Sequence, residues 1–286
     1  MNIEQFQQYR PLLFSIAYRM LGSVAEAEDV LQETYIRVQA AETIEKPKYY
    51  LTTVVTRLCL NQLSSARVQR EQYLGPWLPE PILTEERPEL TNPLEQALTH
   101  DSLSIAFLVL LESLLPAERA VFILREVFEY SYREIAGMLD KREAACRQLF
   151  RRAKRHIAEN RPRFKATPEQ HERLLHSFIK VVELGEVDSF LQLLAEDVTL
   201  VPDGGGERGA AIRVLRGQEA VAAFILGAYR LAPKDLQYGL VRLNGQPAIL
   251  ARTAEGRPYF AVFIYSDGEM VNLIHVIGGR KLLALS

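Results

Sequence analysis

The hydrophobic residues of this chain keep a helical period over about its first 70 residues and again over 101–158, and a strand period over most of the stretch beyond Asp197, which constrains its architecture more than any other feature. Apolar side chains recurring every three to four residues stripe one face of a helix, whereas alternation at every second residue marks a half-buried strand. Phe6, Tyr9, Leu13, Ile16, Ala17 and Met20 keep the first period, followed by Val30, Leu31, Thr34, Tyr35 and Val38, and then Leu51, Val54, Val55, Leu58 and Cys59. Gly22 breaks the first stripe, Ser23 with Glu26 gives the second a capping-box start, and Pro47 opens the third, where its missing N–H costs nothing. Thr167, Pro168 and Gln170 start a further helix that Gly185 ends, and a short one follows over Val187–Leu194. The strand-like runs are Asp197–Val201, Ile212–Leu215, Pro247–Arg252, Tyr259–Tyr265 and Met270–Ile277, punctuated by Asp-Gly, Asn-Gly and Glu-Gly turns, with a helix near Glu219–Tyr229. All-helical domains followed by an α+β domain with a largely antiparallel sheet are expected, and 286 residues suffice for two or three domains.

The most specific element closes the helical part. Ser131 and Glu134 repeat the capping box before Ile135, Ala136 and Leu139, and Asp140 to Arg142 reads as a tight turn. The next helix turns Ala145, Leu149, Ala153 and Ile157 inward, leaving Arg147, Arg151 and Lys154 on one outer stripe with Gln148, Arg152 and Arg155 beside it. Two helices joined by so short a turn, the second one basic, describe a helix-turn-helix, and arginine can donate two hydrogen bonds to a guanine edge. The formal net charge of −2 argues at first against a nucleic-acid partner. Its distribution reverses that reading: residues 141–165 carry 10 basic against 2 acidic side chains, and residues 76–140 carry 4 against 12. DNA contact is expected, with a solvated amphipathic helix pair as the alternative, and the acidic stretches are expected to compete with DNA for the basic helix.

Residues 71–98 hold prolines at 76, 79, 81, 88 and 93 among acidic side chains, the composition of an extended linker. Trp77, the only tryptophan, lies inside it within Trp77, Leu78, Pro79, Glu80 and Pro81. So large an apolar group either docks on another surface or packs on its own neighbouring domain. Cys59 and Cys146 fall on helical stretches and are expected to be buried thiols. No run of about 18 apolar residues is present to span a bilayer, and the first residues lack the basic start of a signal peptide, so a cytoplasmic protein without a membrane partner is expected. Neither metal-ligand spacing nor a nucleophile motif occurs, so no metal or cofactor is expected.

Two stretches carry a family resemblance. AYRMLGSVAEAEDVLQETYIRV, Ala17 to Val38, resembles region 2, and LPAERAVFILREVFEYSYREIAGML followed by RQLFRRAKRHI, within Leu115 to Ile157, resembles region 4 of RNA polymerase sigma factors of the extracytoplasmic-function group, group IV. The resemblance implies a multidomain chain that directs bacterial core RNA polymerase to promoter DNA: region 2 over 1–70, the linker over 71–98 and the region 4 helix-turn-helix over 99–162. It further implies that Glu26, Glu28, Asp29, Gln32 and Glu33 face the clamp helices of the largest catalytic subunit, and that the flap of the second-largest subunit is a second contact. Taken alone, these carboxylates are also what a positive helix N-terminus favours. The helix from Pro47 would read the −10 element, with Arg57, Asn61, Arg67 and Arg70 near the strand backbone and Tyr49 or Tyr50 stacking on bases. Core packing is the alternative for these tyrosines, above all for Tyr50. Arg142, Arg147, Gln148, Arg151, Arg152, Lys154 and Arg155 would read the −35 element. Glu26 stands where the family often has Asp, and Asp140 with Arg142 replace a common turn glycine and Ser/Thr cap, which bears on how the recognition helix meets the groove.

Residues 166–286 resemble the SnoaL-like α+β cone fused to one subgroup of these sigma factors. WLPEP in the linker and Asp203, Gly204, Gly205 and Gly206 in the cone are that subgroup's marks, joined by Gly245 to Leu250, and imply interdomain regulation through these residues. Standing alone, Asp203 to Gly206 is a strand-end turn, since no Lys-Ser/Thr and helix follow to make a phosphate loop. The subgroup's Asn-Pro-rich segment is replaced by IGGRKLL, Ile277 to Leu283, so its contact is not carried over. No enzyme is expected, and a separate anti-sigma factor is allowed without being required. The alternative is a DNA-binding protein whose cone is a small-molecule enzyme or ligand sensor. Asp203 and His275 would be its acid–base candidates, although a lone strand histidine is ordinarily a core group; Phe224, Phe260, Phe263 and Tyr265 either line an apolar cavity or fill a core.

Overall fold

A computed structural model describes residues 1, 3–39, 44–71, 73, 75–84, 103–160, 166–206 and 213–285, the side chains of 65–71 and 168 excepted. They divide into two compact units, Met1–Gln72 with Thr84–Arg161, and Tyr73–Leu83 with Pro162–Ser286.

The first unit is helical: α1 (Ile3–Leu21), α2 (Val24–Gln39), α3 (Pro47–Glu71), α4 (Ile105–Glu112), α5 (Pro116–Phe122), one π turn over Ile123–Val127, α6 (Tyr132–Leu139) and α7 (Glu143–Asn160). The helical stripes become its core: Leu13, Ile16 and Ala17 of α1 meet Ala27 and Leu31 of α2 and Leu51, Val55 and Cys59 of α3, all buried. Each fully buried Leu or Ile contributes about 1.5–3 kcal/mol relative to exposure. Gly22 ends α1 with φ 71°, a conformation that costs glycine little, and the Glu26 N–H donates to Ser23 Oγ at 3.3 Å at the start of α2. Both thiols are buried as expected, and burial pushes the Cys59 thiol up. Buried Arg119 donates to the Met20 carbonyl at 2.6 Å and to the Glu112 carbonyl at 2.8 Å, tying α5 to α1; burial lowers its pKa to about 10.

In the second unit, α8 (Pro168–Leu184) opens with the expected capping box at Thr167 and Gln170 and ends at Gly185. Then come α9 (Val187–Leu193), β1 (Leu194–Asp203), β2 (Leu215–Arg216), α10 (Gln218–Leu231), β3 (Gln237–Leu243), β4 (Gln246–Arg252), β5 (Pro258–Ser266), β6 (Val271–Gly278) and a 3₁₀ turn over Gly279–Leu285. The six-stranded sheet runs β2-β1-β6-β5-β4-β3, antiparallel throughout except for the parallel pair β1–β6. Strand β3 is absent from the sequence reading because it is an edge strand interrupted by Gly239 and largely exposed; Asn244 and Gly245, both at positive φ, turn it tightly into β4. One face of the sheet presents Leu200, Ile249, Val262, Ile264 and Ile274 to the core that Leu175 and Phe178 of α8 and Val221 of α10 complete. Strand parity puts Asp203, Phe263, Tyr265, His275 and Ile277 on the opposite face. Among the described residues no helix is long and apolar enough to cross a membrane.

Candidate functional site

The helix-turn-helix is built from α6 and α7. The Glu134 carboxylate accepts the Ser131 hydroxyl at 2.6 Å and the Ser131 N–H at 2.8 Å, which lowers the Glu134 pKa, and Ser131 Oγ accepts the Glu134 N–H at 3.3 Å. Asp140 ends α6 in the left-handed conformation, φ 51°, so it fills the place a turn glycine would take and the tight turn survives the departure. Along α7, Cys146, Ala153 and Ile157 are buried, while Arg147, Gln148, Arg151, Arg152, Lys154 and Arg155 are exposed, as is Arg142 in the turn. Arg152 pairs with Glu118 at 3.0 Å and Lys154 with Glu126 at 3.2 Å, so part of the basic face is neutralised by the acidic stretch before it. Arg147 pairs with Glu143 and stacks over Tyr132. Arg151 and Arg155 form no ion pair among the described residues and project into solvent.

On α2, Asp29 and Gln32 are exposed, Glu28 pairs with Arg10 at 2.6 Å, Glu33 pairs with Arg37 at 2.7 Å, and Glu26 is half-buried. Ile36, 63% exposed, continues the Asp29–Gln32 stripe by one turn and is an apolar surface group that sequence reading passed over. The residues expected to read the −10 element have a different setting. Arg57 Nε donates to the Met138 carbonyl at 2.7 Å and Nη2 to the Gly137 carbonyl at 3.2 Å, so its guanidinium caps the C-terminus of α6. Tyr49 donates to the Glu134 carbonyl at 3.3 Å, and a Cβ at Gly137 would collide with its hydroxyl. The hydroxyls of Thr52 and Tyr130 meet at 3.0 Å beneath them. Tyr50 is 41% exposed rather than packed in the core, and Asn61 is exposed. The side chains of Arg67 and Arg70 lie outside the described residues. In the first unit, then, α3 is closed onto the first helix of the helix-turn-helix.

In the second unit the Trp77 segment is docked on the strand end that carries Asp203. Asp203, 2% exposed, accepts from the Tyr73 hydroxyl at 2.5 Å, the Leu78 N–H at 2.6 Å and the Gly205 N–H at 2.9 Å, and pairs with Lys281 at 2.6 Å. Lys281 also donates to the Leu78 carbonyl and lies 4.0 Å from the centre of a Trp77 ring. Burial first, then its bond to Asp203, pushes the Tyr73 phenol up, so it stays a donor. The Ile82 N–H donates to Asn244 Oδ1 and the Asn244 N–H to the Ile82 carbonyl, both at 3.0 Å, fixing the far end of the segment. The glycines have a steric reason: at Gly205, φ 74°, a Cβ would come within 2.9 Å of the Arg280 nitrogen, and at Gly206 within 3.1 Å of the Tyr73 ring. IGGRKLL therefore does contact the segment, through Lys281. Tyr73, Asn244 and Lys281 are site residues that sequence reading missed; the one available signal was a lysine set in an apolar turn.

A cavity of about 350 Å³ lies on the other face of the sheet, between α8, α10 and strands β3 to β6. Phe224 and Phe260 line it, whereas Phe263 and Tyr265 are buried on the opposite face, and neither Asp203 nor His275 reaches it. Asp203 is committed to the linker, and buried His275 packs its ring against Tyr265, with burial pushing its pKa down to about 3. Among the described residues no cluster of His, Cys, Asp and Glu is arranged to hold a metal ion.

A helix-turn-helix with a basic second helix, preceded by a helical domain with an acidic second helix, is the arrangement that the resemblance to sigma factors implies for a promoter-recognition subunit. Residues 5–68 match the model for Sigma-70 region 2 and residues 104–157 the model for Sigma-70, region 4. The ECF RNA polymerase sigma factor SigJ of Mycobacterium tuberculosis is 37% identical over 229 residues, 79% of this chain and 73% of that protein. The probable ECF RNA polymerase sigma factor SigI of the same species is 32% identical over 258 residues, 86% of this chain and 82% of that protein. The crystal structure of SigJ superposes with a TM-score of 0.75 at 31% identity, covering 99% of both chains. The chain belongs to the extracytoplasmic-function RNA polymerase sigma factors, with a C-terminal α+β cone as an extension.

Proposed function

We propose that this sigma factor reads a −35 element with the exposed face of α7 and a −10 element with α3, and that its cone regulates access to both by holding the chain between them. Arg142, Gln148, Arg151 and Arg155 would approach the groove first, and Arg147, Arg152 and Lys154 would exchange glutamate partners for phosphates. Asp29, Gln32 and Ile36 would form the centre of the surface for the polymerase clamp helices, with Glu26, Glu28 and Glu33 around it; the flap of the second-largest subunit would be met by region 4. The domains in this reading are 1–70, 99–162 and 166–286, with the linker's residues 73–83 working as part of the cone.

The observation that carries the regulatory reading is that WLPEP and Asp203 to Gly206 form one buried contact, beginning just after α3 ends. A segment on the same chain has a high effective concentration at its dock, so cone and linker bias the separation of the DNA-reading domains without a free partner. Run-off transcription with purified core polymerase, on a promoter located by transcript mapping after overexpression, tests the whole. Arg151→Ala is expected to lower the −35-dependent transcript about 5- to 150-fold, the range of one good base or phosphate contact. No promoter-dependent transcript from the intact chain would overturn the promoter assignments, and equal single-round yields from the intact chain and Asp203→Ala would overturn the regulatory role.

A further inference from the structure

We infer that the cone cavity is a binding site for an uncharged, mainly apolar small molecule with one hydrogen-bonding end. The site goes beyond promoter recognition and stands on its own geometry. Protein interiors are packed to the density of organic crystals, so a space of about 350 Å³ is not a packing defect, and it lies within the size range of ligand sites. Its floor is buried: Phe178, Ile249 and Val262 are 4%, 3% and 7% exposed. Its mouth is open, because Glu183, Ala228 and Tyr259 are exposed and Leu231, 89% exposed, forms an apolar lip. Space closed below and open above admits a guest without unfolding.

The lining decides the guest's chemistry. Aromatic rings line it beside aliphatic side chains, with Tyr238 6.0 Å from Tyr229 and 6.1 Å from Phe260, centre to centre, which suits flat or branched apolar groups. The polar side chains among its lining residues are those of Tyr229, Tyr238, Tyr259 and Glu183. Burial first, then Tyr229, Glu183 and Tyr259, raises the Tyr238 pKa, so the phenol stays a donor for a hydroxyl or carbonyl end. Among the described residues no cation lines the cavity; Lys234 lies over the Tyr229 ring at 5.9 Å and donates to the Arg230 carbonyl. An anionic end would meet the Glu183 carboxylate at the mouth, which favours neutral guests over fatty-acid-like ones.

Fluorescence titration of the intact protein with N-phenyl-1-naphthylamine tests this, with 8-anilinonaphthalene-1-sulfonate, the same skeleton bearing a sulfonate, as its matched anion. Saturable binding of one neutral probe per chain is expected, at least tenfold tighter than the sulfonate. Ala228→Phe at the exposed mouth and Val276→Phe in the wall should each weaken the neutral probe at least tenfold. Should Val276→Phe fail to fold, Ala228→Phe decides, since its site is on the surface. Absence of saturable binding, equal affinity for the sulfonate, or unchanged affinity in Ala228→Phe would each overturn the site. The readout is independent of DNA and polymerase, so its failure leaves promoter recognition untouched.

Discussion

Replacing Asp203 by alanine is expected to release the Trp77 segment from the cone. The carboxylate gathers three hydrogen bonds, from Tyr73, Leu78 and Gly205, and the Lys281 ammonium, with side-chain exposures of 0% for Asp203 and 7% for Lys281. Removing one member of a buried ion pair costs about 3–5 kcal/mol, because the remaining charge stays buried without its partner. The Trp77 ring already faces Lys281 in the parent, so it offsets none of this loss. Even the lower bound of 3 kcal/mol shifts the docking equilibrium by about 150-fold. Trp77 is the only tryptophan, so its emission reports the dock without labelling. In Asp203→Ala the emission should shift to the red and acrylamide quenching should rise. Removing both charges, in Asp203→Ala with Lys281→Met, should recover most of the loss, because a buried pair exchanged for apolar groups is often neutral. Unchanged emission and quenching in a folded Asp203→Ala protein would refute the reasoning, since the segment would then be held by its apolar contacts alone.

In the first unit, Arg57→Ala should weaken the closure of α3 onto α6 by about 1–2 kcal/mol, the range for charged hydrogen bonds at an exposed helix C-terminus. Amide exchange in the last turn of α6 should speed up about 5- to 30-fold, and an unchanged rate would mean that water serves those carbonyls equally well. Acid should weaken the second unit through His275, whose pKa burial pushes down to about 3. The unfolded chain, with an ordinary value of about 6.5, takes up the proton first, so this contribution is complete above about pH 6.5 and is lost towards pH 3, at up to about 1.4 kcal/mol per unit. Thermal melts between pH 7 and pH 5 should show a flatter dependence in His275→Leu than in the parent, and identical slopes would count against a buried neutral imidazole.

The helices, their caps and the helix-turn-helix were legible because each is a local pattern: a period of 3.6, a Ser-x-x-Glu, a short turn. Partners across the fold were not. Arg57 falls on the outer face of α3, and periodicity says only that this face is polar; whether phosphates or the end of α6 meets it depends on a pairing 81 residues away. Lys281 is a single basic residue in an apolar turn, and what neutralises it is set by the meeting of β1 with that turn. Tyr50 keeps the helical spacing yet stands clear of the core, because the stripe is broader than the surface that covers it. The cone aromatics were separable in principle: Phe260 has the opposite strand parity from Phe263 and Tyr265, and only the first lines the cavity.

Burial decides which of the two closed contacts opens. Arg57 is exposed, and its bonds to α6 are worth about 1–2 kcal/mol, whereas undocking the Trp77 segment would also expose the buried Leu78 and Ile82, each worth about 1.5–3 kcal/mol. The first therefore opens at least several-fold more readily than the second, so the docked linker behaves as a fixed part of the cone and the α3–α6 closure is the movable element. In the proposed reading DNA would act on that element directly, since a phosphate would offer Arg57 a full negative charge in place of the partial charge of two carbonyls. Salt separates the contacts in the same order, because screening over about 8–10 Å reaches exposed charges and hardly touches buried ones. Raising the ionic strength should loosen α3 from α6 while Trp77 keeps its emission.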